Sequence, residues 1–371
     1  MSTNEQPNLE YKIHNIHCHI FTIKYLPKKF IGWYFPTTLV KKKWVANLLM
    51  RLVKKLAPRI AGFVYSAFKK DQKDIFNELR GYYPENTKFC PLTVDFDYMN
   101  AGKAQYNFLQ QLEDVADLKR YYENKNFDVF LPFICVDPRR DGILELVKKY
   151  IEEEKFTGIK LYPALGFFPD DYRLDEVYAY AEANHIPITT HCIPKNKNHF
   201  RYKPTKEMVN KAKERFSEFY DTKDSRSSYD FAKYLNHPKN YEYILKKFPK
   251  LKINLAHFGG NEEWDKYLDV SDENFKKDRN WYSIIRKMML TYDNVYADIS
   301  FTVYDARLYP VLRNVLKTPK AKERVLFGSD FYMLQKDYSE RRFGMDVRGY
   351  IDDDEFWLMA ETNPKRFLFN E

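Results

Sequence analysis

Cysteine is scarce in the sequence, and the few cysteines form no closely spaced pairs. Four occur in 371 residues, namely Cys18, Cys90, Cys135 and Cys192. Small secreted proteins that depend on disulfides carry many more cysteines in much shorter chains. We therefore expect all four thiols to be reduced.

Long apolar runs are also missing. No stretch approaches the roughly 18 uninterrupted apolar residues that a membrane-spanning helix needs. The opening residues, MSTNEQPNLEYK, lack the basic and apolar regions of a signal peptide. These absences predict a cytoplasmic protein.

Charge of one sign is not concentrated over most of the chain, although positive residues are in excess. The chain has 61 Lys and Arg against 52 Asp and Glu, for a net charge of +9. The two signs alternate in stretches such as KKYIEEEK and DENFKKDR, which is typical of solvated helix faces. No nucleic-acid partner is therefore expected, and an apolar content of 44% is enough for a globular core.

Short β-rich runs alternate with amphipathic helical segments along the chain, which is the pattern of a parallel sheet. In segments such as ILELVKKYIEEEK, apolar residues recur three and four apart, so that one face can pack on a sheet. Eight parallel strands are the number that closes a barrel. We predict an α/β fold, a (β/α)8 TIM barrel, as one domain over residues 1–371. The eight runs are 11–20, 87–96, 128–136, 157–162, 186–192, 251–258, 294–301 and 324–330.

Two stretches exceed a minimal barrel and are interpreted as helical insertions after strands 1 and 5. They cover about residues 38–86 and 193–240. Loops that follow strands form the carboxyl-terminal face of a barrel, so both insertions are expected to shape the substrate pocket. The first includes a basic amphipathic pattern over 43–70, for which a peripheral membrane anchor is a second interpretation.

Two histidines, His17 and His19, lie one residue apart in the first predicted strand. Side chains alternate along a strand, so both imidazoles should lie on the same side. The fifth, sixth and eighth predicted strands end in His191, His257 and Asp330. The carboxyl ends of barrel strands converge on one face, and imidazole and carboxylate groups bind zinc and similar divalent metals. We therefore expect these five groups to meet around a metal.

An ordered set of motifs in the chain resembles the amidohydrolase superfamily, and in particular the branch of aminocarboxymuconate-semialdehyde decarboxylase and related metal-dependent hydrolases. The resemblance covers nearly the whole chain and implies that His17, His19 and His191 bind the metal. It also implies that Asp330 binds the metal or its water, and that His257 acts beside it as an acid/base group. The motifs are HCH (17–19), GIKLYP (158–163), THC (190–192), AHFGG (256–260), FGSDF (327–331) and NPKRFL (363–368).

The number of metals depends on Lys160, which lies in the fourth predicted strand. The resemblance implies a carboxylated, metal-bridging lysine there in members with two metals, and an unmodified lysine in members with one. We expect one divalent ion, zinc in the first instance, with Lys160 as a ligand only if the site is binuclear. Asn15 departs from the family pattern, in which an acidic residue commonly stands two positions before the first histidine.

The expected reaction is hydrolysis of a small lactone, ester or amide, in some cases carboxylated, by a metal-activated water, with Asp330 and His257 moving protons. Non-oxidative decarboxylation is the alternative, because both reactions need the same ligands. A barrel without catalytic activity that binds a membrane surface or a protein through residues 43–70 is a further alternative.

The expected partner is an anionic small molecule. If the chain forms an oligomer, the expected oligomer is a homodimer. Basic residues near the barrel mouth suit a carboxylated substrate. The substrate candidates are Tyr162, Arg139 and Arg201, with Ser300 and Tyr332 added by position alone.

Overall fold

Eight short parallel strands form the centre of the computed structural model, which describes residues 12–30, 65–195, 198–269, 276–336 and 338–371. Each strand lies inside one of the eight predicted runs, so the strand prediction is confirmed. The strands are β1 His14–Cys18, β2 Lys88–Pro91, β3 Phe133–Val136, β4 Gly158–Leu161, β5 Ile188–His191, β6 Ile253–Ala256, β7 Val295–Asp298 and β8 Val325–Leu326.

The strands pair in chain order and close on themselves. β1 pairs with β2, and β3 to β8 pair consecutively, always in parallel. Isolated bridges join β2 to the β3 region and β1 to the segment after β8. This closure confirms the predicted (β/α)8 barrel. The bridges are Cys18–Phe331, Phe89–Phe130 and Leu92–Phe133.

Helices occupy the connections between the strands, where the sequence shows amphipathic periodicity. Within the described residues the α helices are α1 Gln72–Arg80, α2 Phe108–Glu123, α3 Ile143–Lys148, α4 Asp175–Ala183, α5 Lys206–Arg215, α6 Ser228–Asn236, α7 Asn240–Lys247, α8 Asn261–Leu268, α9 Trp281–Thr291, α10 Tyr309–Leu316, α11 Pro319–Lys322, α12 Glu340–Tyr350, α13 Asp353–Trp357 and α14 Asn363–Phe369.

Local chemistry sets several helix starts. The side chain of Asn107 accepts a hydrogen bond from the backbone of Gln110 at the start of α2. Thr205 caps α5 and Asn280 caps α9 in the same way. Such caps satisfy backbone donors that have no partner within the helix.

The two stretches predicted as insertions are described in part. Residues 31–64, which hold most of the basic pattern at 43–70, lie outside the described residues, as do 196–197. The described remainder of 38–86 contains α1, and residues 193–240 contain α5 and α6. Helix α6 contributes Phe231 and Tyr234 to a small apolar cluster with Phe200 and Phe216. None of the helices in the described ranges combines the length and the apolar character needed to cross a membrane.

An apolar layer closes the amino-terminal end of the barrel. It joins side chains of β1, β2, β3, β7 and β8 to the last helix, α14, so it fills the interior between strands from both halves of the ring. The polar groups at the carboxyl ends of the same strands therefore lie above an apolar layer of the core. The layer includes Ile16, Cys90, Leu92, Phe133, Tyr296, Leu326, Phe367 and Leu368.

Candidate metal centre

His17 and His19 converge on Asp330 at the carboxyl end of the barrel. Their Nε2 atoms lie 3.6 and 3.4 Å from Oδ1 of Asp330. The pairing of β1 with β2 shifts in register between Asn15 and Cys18, and such irregularities redirect side chains next to functional sites. The structure thus brings these three sequence-predicted residues together, and their role as ligands stays a prediction.

Asp330 lies in the loop after β8 rather than at the end of the strand itself. Its backbone has a φ of 62°, in the left-handed region, where a non-glycine residue costs on the order of 1 kcal/mol. Its backbone N–H donates to the carbonyl of His17 over 2.8 Å. The preceding Gly328 permits this approach, because a Cβ there would lie 2.8 Å from Cβ of His17.

His191 and His257 form a hydrogen-bonded pair beside this group. His191 ends β5, and His257 opens a tight turn directly after β6. Their Nδ1 and Nε2 atoms, respectively, are 3.0 Å apart. The ring centroid of His257 lies 4.7 Å from those of both His17 and His191. In the part of the chain described, the potential ligand atoms that all lie within 4.8 Å of one another belong to His17, His19 and Asp330 or to His17, His257 and Asp298.

Fixed acceptors determine the tautomers of the imidazoles. Nδ1 of His19 lies 3.0 Å from the carbonyl oxygen of Leu92, and Nδ1 of His257 lies 3.0 Å from that of Ser300. A carbonyl oxygen can only accept, so both Nδ1 atoms carry the proton and both Nε2 atoms carry a lone pair. Nε2 of His257 then accepts from Nδ1 of His191, which leaves the lone pair of His191 on Nε2.

Asp298, at the end of β7, is the acceptor that fixes the tautomer of His17. The sequence analysis did not identify this residue. Its carboxylate is buried and accepts from Nδ1 of His17 over 3.1 Å and from Nδ2 of Asn254 over 2.7 Å. The backbone N–H groups of His257 and Ser300 and the Ser300 hydroxyl also donate to it. A carboxylate behind a metal-binding histidine orients the ring and raises its basicity.

We call the space between His17, His19, His191, His257 and Asp330 the chamber. Its electrostatics keep the imidazoles neutral and Asp298 charged. Burial lowers the pKa values of His17, His19 and His191, and it lowers the pKa of His257 to about 3. Burial alone would raise the pKa of Asp298, but its contacts with His17 and the hydrogen bond from Ser300 hold that pKa well below its usual range. Neutral imidazole is the form that binds a metal.

Orphaned polar atoms show that the chamber fits a cation. Among the described residues, Nε2 of His17 and Nε2 of His191 are buried and have no hydrogen-bond partner. An unsatisfied buried polar atom costs about 1–3 kcal/mol. A divalent ion would satisfy both lone pairs, and three imidazoles with one carboxylate form a donor set suited to a transition metal.

Lys160 lies on β4 below these groups. Its ammonium group is buried and, within the described ranges, lacks a hydrogen-bond partner. Burial lowers its pKa to about 8, against the opposing charges of Asp298 and Asp330. That Lys160 is unmodified, beside a single metal ion, stays a prediction.

A cluster of buried aromatic side chains reaches the chamber through Phe21. We call Phe21, Phe30, Phe96 and Tyr332 the aromatic wall. Phe21 lies 5.4 Å from His19, 5.6 Å from Phe96 and 5.6 Å from Tyr332 between ring centroids, and Phe30 lies 5.1 Å from Phe96. The ring of Tyr162 lies 4.5 Å from that of His191, so this predicted substrate residue does reach the chamber.

The two predicted substrate arginines have different surroundings. Nε and Nη2 of Arg139 donate to both oxygens of Asp137 over 2.8 and 2.6 Å, so its charge is already paired. Arg201 donates from Nη2 to the carbonyl of Phe30 over 2.7 Å, which places it beside the aromatic wall. A substrate role stays a prediction for both, and the position of Arg201 suits it better.

Comparison with solved structures supports the assignment of the barrel fold. The chain is similar to an uncharacterised TIM-barrel protein from Bordetella bronchiseptica, with a TM-score of 0.56, 15% identity and coverage of 96% of this chain and 98% of that one. It is also similar to a manganese-bound 5-carboxyvanillate decarboxylase from Novosphingobium aromaticivorans, with a TM-score of 0.55, 12% identity and 97% coverage of both chains. A third structure, 2,6-dihydroxybenzoate decarboxylase from Rhizobium, has a TM-score of 0.53, 13% identity and coverage of 96% and 98%.

Sequence comparison identifies the family. No curated protein matches the chain. The amidohydrolase family model Amidohydro_2, however, matches residues 116–369, which is more than half of the chain and includes His191, His257 and Asp330. The chain therefore belongs to the Amidohydro_2 family of the amidohydrolase enzymes, as the resemblance of its motifs indicated.

Proposed function

We propose that the protein is a metal-dependent decarboxylase of a small aromatic carboxylic acid, with hydrolysis at the same site as the second candidate. The observation that carries the proposal is the position of the aromatic wall, whose Phe21 ring lies 5.4 Å from the ring of His19. Decarboxylation is thus preferred over hydrolysis, whereas the sequence analysis preferred hydrolysis. Two of the similar structures are decarboxylases of aromatic acids, which supports this order.

One divalent ion, zinc or manganese, is proposed to be held by His17, His19, His191 and Asp330. When bound, it supplies Lewis-acid charge that holds and polarises an oxygen of the substrate. Imidazole-rich sets suit zinc, whereas the similar 5-carboxyvanillate decarboxylase structure contains manganese.

The aromatic wall would orient a planar substrate and exclude water from the carboxylate that leaves. In decarboxylation the bond between the ring carbon and the carboxyl carbon breaks, and its electron pair stays on the ring carbon. Carbon dioxide leaves, and a proton takes its place. A site with little water favours this step because the carboxylate charge is dispersed as the bond breaks.

The proton is proposed to come from Asp330 or His257, the two groups expected from the sequence, after that group has taken up a proton from solvent. Nε2 of His257 accepts a hydrogen bond from His191 in the described geometry, so Asp330 faces the chamber more directly. Tyr162, beside His191, is proposed to pack on the substrate from the side opposite the wall.

Hydrolysis remains the second candidate because Asp330 lies next to the Nε2 atoms of His17 and His19, where it can accept a proton from an attacking water. The same acid and base groups would serve in the hydrolysis of a lactone, ester or amide. A barrel without catalytic activity is disfavoured by the three imidazole lone pairs that remain directed into the chamber.

The test is to load the protein with zinc or manganese and to incubate it in D2O with hydroxybenzoates, carboxyvanillates, aryl lactones and aryl esters. We expect release of carbon dioxide from an aromatic acid and one deuterium on the ring carbon of the product, with no release by His191→Ala. Turnover of lactones or esters alone, with no acid decarboxylated, would overturn the proposal in favour of hydrolysis.

A further inference from the structure

The metal chamber lies across the seam where β1 meets the segment after β8. His17 and His19 come from one side of this seam, and Asp330 comes from the other. β8 itself is only Val325–Leu326. Backbone hydrogen bonds continue across the seam beyond it, from the N–H of Ile16 to the carbonyl of Phe327 over 3.0 Å and from the N–H of Asp330 to the carbonyl of His17 over 2.8 Å. The left-handed backbone of Asp330 adds local strain that the surroundings must hold.

The side chain of Asn15 crosses this seam and is buried completely. Its Oδ1 accepts from the backbone N–H of Ser329 over 3.2 Å and from that of His17 over 3.3 Å. Its Nδ2 donates to the hydroxyl of Ser329 over 2.9 Å. A single amide therefore contacts both the residue that precedes Asp330 and the backbone of a predicted ligand.

Ser329 also fixes the residue on the far side of Asp330. Its hydroxyl oxygen accepts from the backbone N–H of Phe331 over 3.2 Å. Asp330 is thereby enclosed between two residues whose positions depend on Ser329, and Ser329 is held to β1 by Asn15.

A buried carboxylate lies at the outer end of the same network. Nδ2 of Asn15 donates to the hydroxyl of Tyr83 over 3.4 Å, and Tyr83 donates to Oε1 of Glu340 on α12 over 2.6 Å. Burial raises the pKa of Glu340 to about 7, and the hydroxyl groups of Ser329 and Tyr83 oppose this rise. The hydrogen bonds thus run in one direction, from the amide through hydroxyl groups to the carboxylate.

This direction explains why an amide occupies position 15. An aspartate there would accept but could not donate to Ser329 and Tyr83. It would also bring a second acidic group into the network that contains Glu340, and two neighbouring buried carboxyl groups disfavour each other's charged form.

We propose that Asn15 is a positioning residue that holds Asp330 at the imidazoles of His17 and His19, with the carboxyl group of Glu340 at the outer end of its hydrogen-bond network. This inference rests on the proposed metal centre. Its consequence is that Asn15 governs metal affinity although it does not contact the metal.

The test measures zinc and manganese affinity by chelator competition, together with the thermal midpoint of the metal-free protein, in the full chain. We expect Asn15→Asp to weaken metal binding by about 10–100-fold, the usual effect of losing a group that orients a ligand. The double variant Asn15→Asp with Glu340→Gln should recover at least about tenfold, because glutamine can donate to the hydroxyls and reverse the direction of the network.

Asn280→Asp is the matched control. Asn280 donates to the buried carboxylate of Glu263 over 3.2 Å, so its substitution also places two carboxylates together, but away from the ligands. We expect this control to lower the thermal midpoint and to leave metal affinity within about threefold of the wild type, below the tenfold effects of ligand-orienting groups.

An unchanged affinity in Asn15→Asp, a loss equal to that of the control, or no recovery in the double variant would each overturn the inference. If Asn15→Asp does not fold, Tyr83→Phe removes one link of the network and should weaken metal binding several-fold, whereas an unchanged affinity would be the contrary result. A wild-type protein that binds no metal would instead defeat the proposed function.

Discussion

The carboxylate of Asp298 lies 3.1 Å from Nδ1 of His17 and fixes which nitrogen of that imidazole faces the metal chamber. The proton must lie on Nδ1, because the carboxylate can only accept, and Nε2 is left with its lone pair directed towards Asp330. The same arrangement recurs at His19, where a backbone carbonyl takes the place of the carboxylate. The chamber is therefore prepared for a cation by the acceptors behind its histidines.

Removal of His191 should abolish stable metal binding and leave the fold intact. We expect His191→Ala to lose most of its metal after dialysis, since one of the proposed ligands is gone, while the far-ultraviolet circular dichroism spectrum stays the same. Metal per chain by plasma mass spectrometry is the measurement. Full metal occupancy in this variant would contradict the assignment of His191 as a ligand.

Asp298→Asn should weaken metal binding without changing any ligand. Asp298 accepts from five donors and donates to none, so an amide N–H at this position would face another donor. We expect metal affinity to fall by about 10–100-fold and the free energy of unfolding to fall by about 1–3 kcal/mol.

The matched control is Asp224→Asn, which removes the charge of a buried carboxylate that accepts from Tyr234 and Lys233 far from the ligands. It should lower stability but not metal affinity. Equal losses of metal affinity in the two variants would show that Asp298 acts only through the overall fold.

The two roles of His257, as the acceptor for His191 and as an acid/base group, can be separated by comparing His257→Ala with His257→Gln. Alanine removes the acceptor for Nδ1–H of His191, whereas the side-chain oxygen of glutamine can replace it. We expect weaker metal binding only in His257→Ala, by about 10–100-fold. Turnover should fall by about 100-fold or more in both variants, as is usual when an acid/base group is lost. Wild-type turnover by His257→Gln would show that His257 moves no proton.

Acid should destabilise the metal-free protein between pH 7 and pH 5. Burial lowers the pKa of six histidines, so the unfolded chain takes up protons below about pH 6.5 that the folded chain does not bind. Burial raises the pKa values of Asp95 and Glu340 to about 7, which acts in the opposite direction but concerns fewer groups. The six are His14, His17, His19, His191, His237 and His257.

The measurement is the free energy of unfolding by urea at pH 7, 6 and 5. We expect it to fall at each step, because each histidine contributes at most about 1.4 kcal/mol per pH unit. Bound metal should reduce the effect, since it competes with protons at the chamber histidines. Stability that is constant or rises towards pH 5 would show that these imidazoles are not buried in the neutral form.

The strands and most of the chamber could be predicted from the sequence because both depend on local pattern. β-Rich runs are separated by amphipathic segments, and parallel strands then bring their carboxyl ends together whatever the distance along the chain. That rule placed His17, His19, His191, His257 and Asp330 on one face of the barrel. It would also have found Asp298, which ends the buried strand β7 in the same way.

The remaining features depend on contacts between distant parts of the chain, which no local pattern reveals. The register shift in β1 places Asn15 at the seam with Ser329 rather than beside the histidines. Arg139 donates to the carbonyl of Leu165 over 3.0 Å and to the hydroxyl of Tyr202 over 2.9 Å in addition to its pair with Asp137. Its charge is therefore not free for a substrate in the way that its position suggested. The left-handed backbone of Asp330 likewise depends on the packing around it and has no signature in the residues FGSDF.

The most direct test of the account is the metal content of the purified protein, measured by plasma mass spectrometry alongside the intact mass under non-denaturing conditions. We predict one zinc, manganese or similar divalent ion per chain and an unmodified Lys160. Two ions with a carboxylated Lys160 would contradict the single-metal site, and no bound metal after reconstitution with zinc and manganese would contradict the metal centre itself.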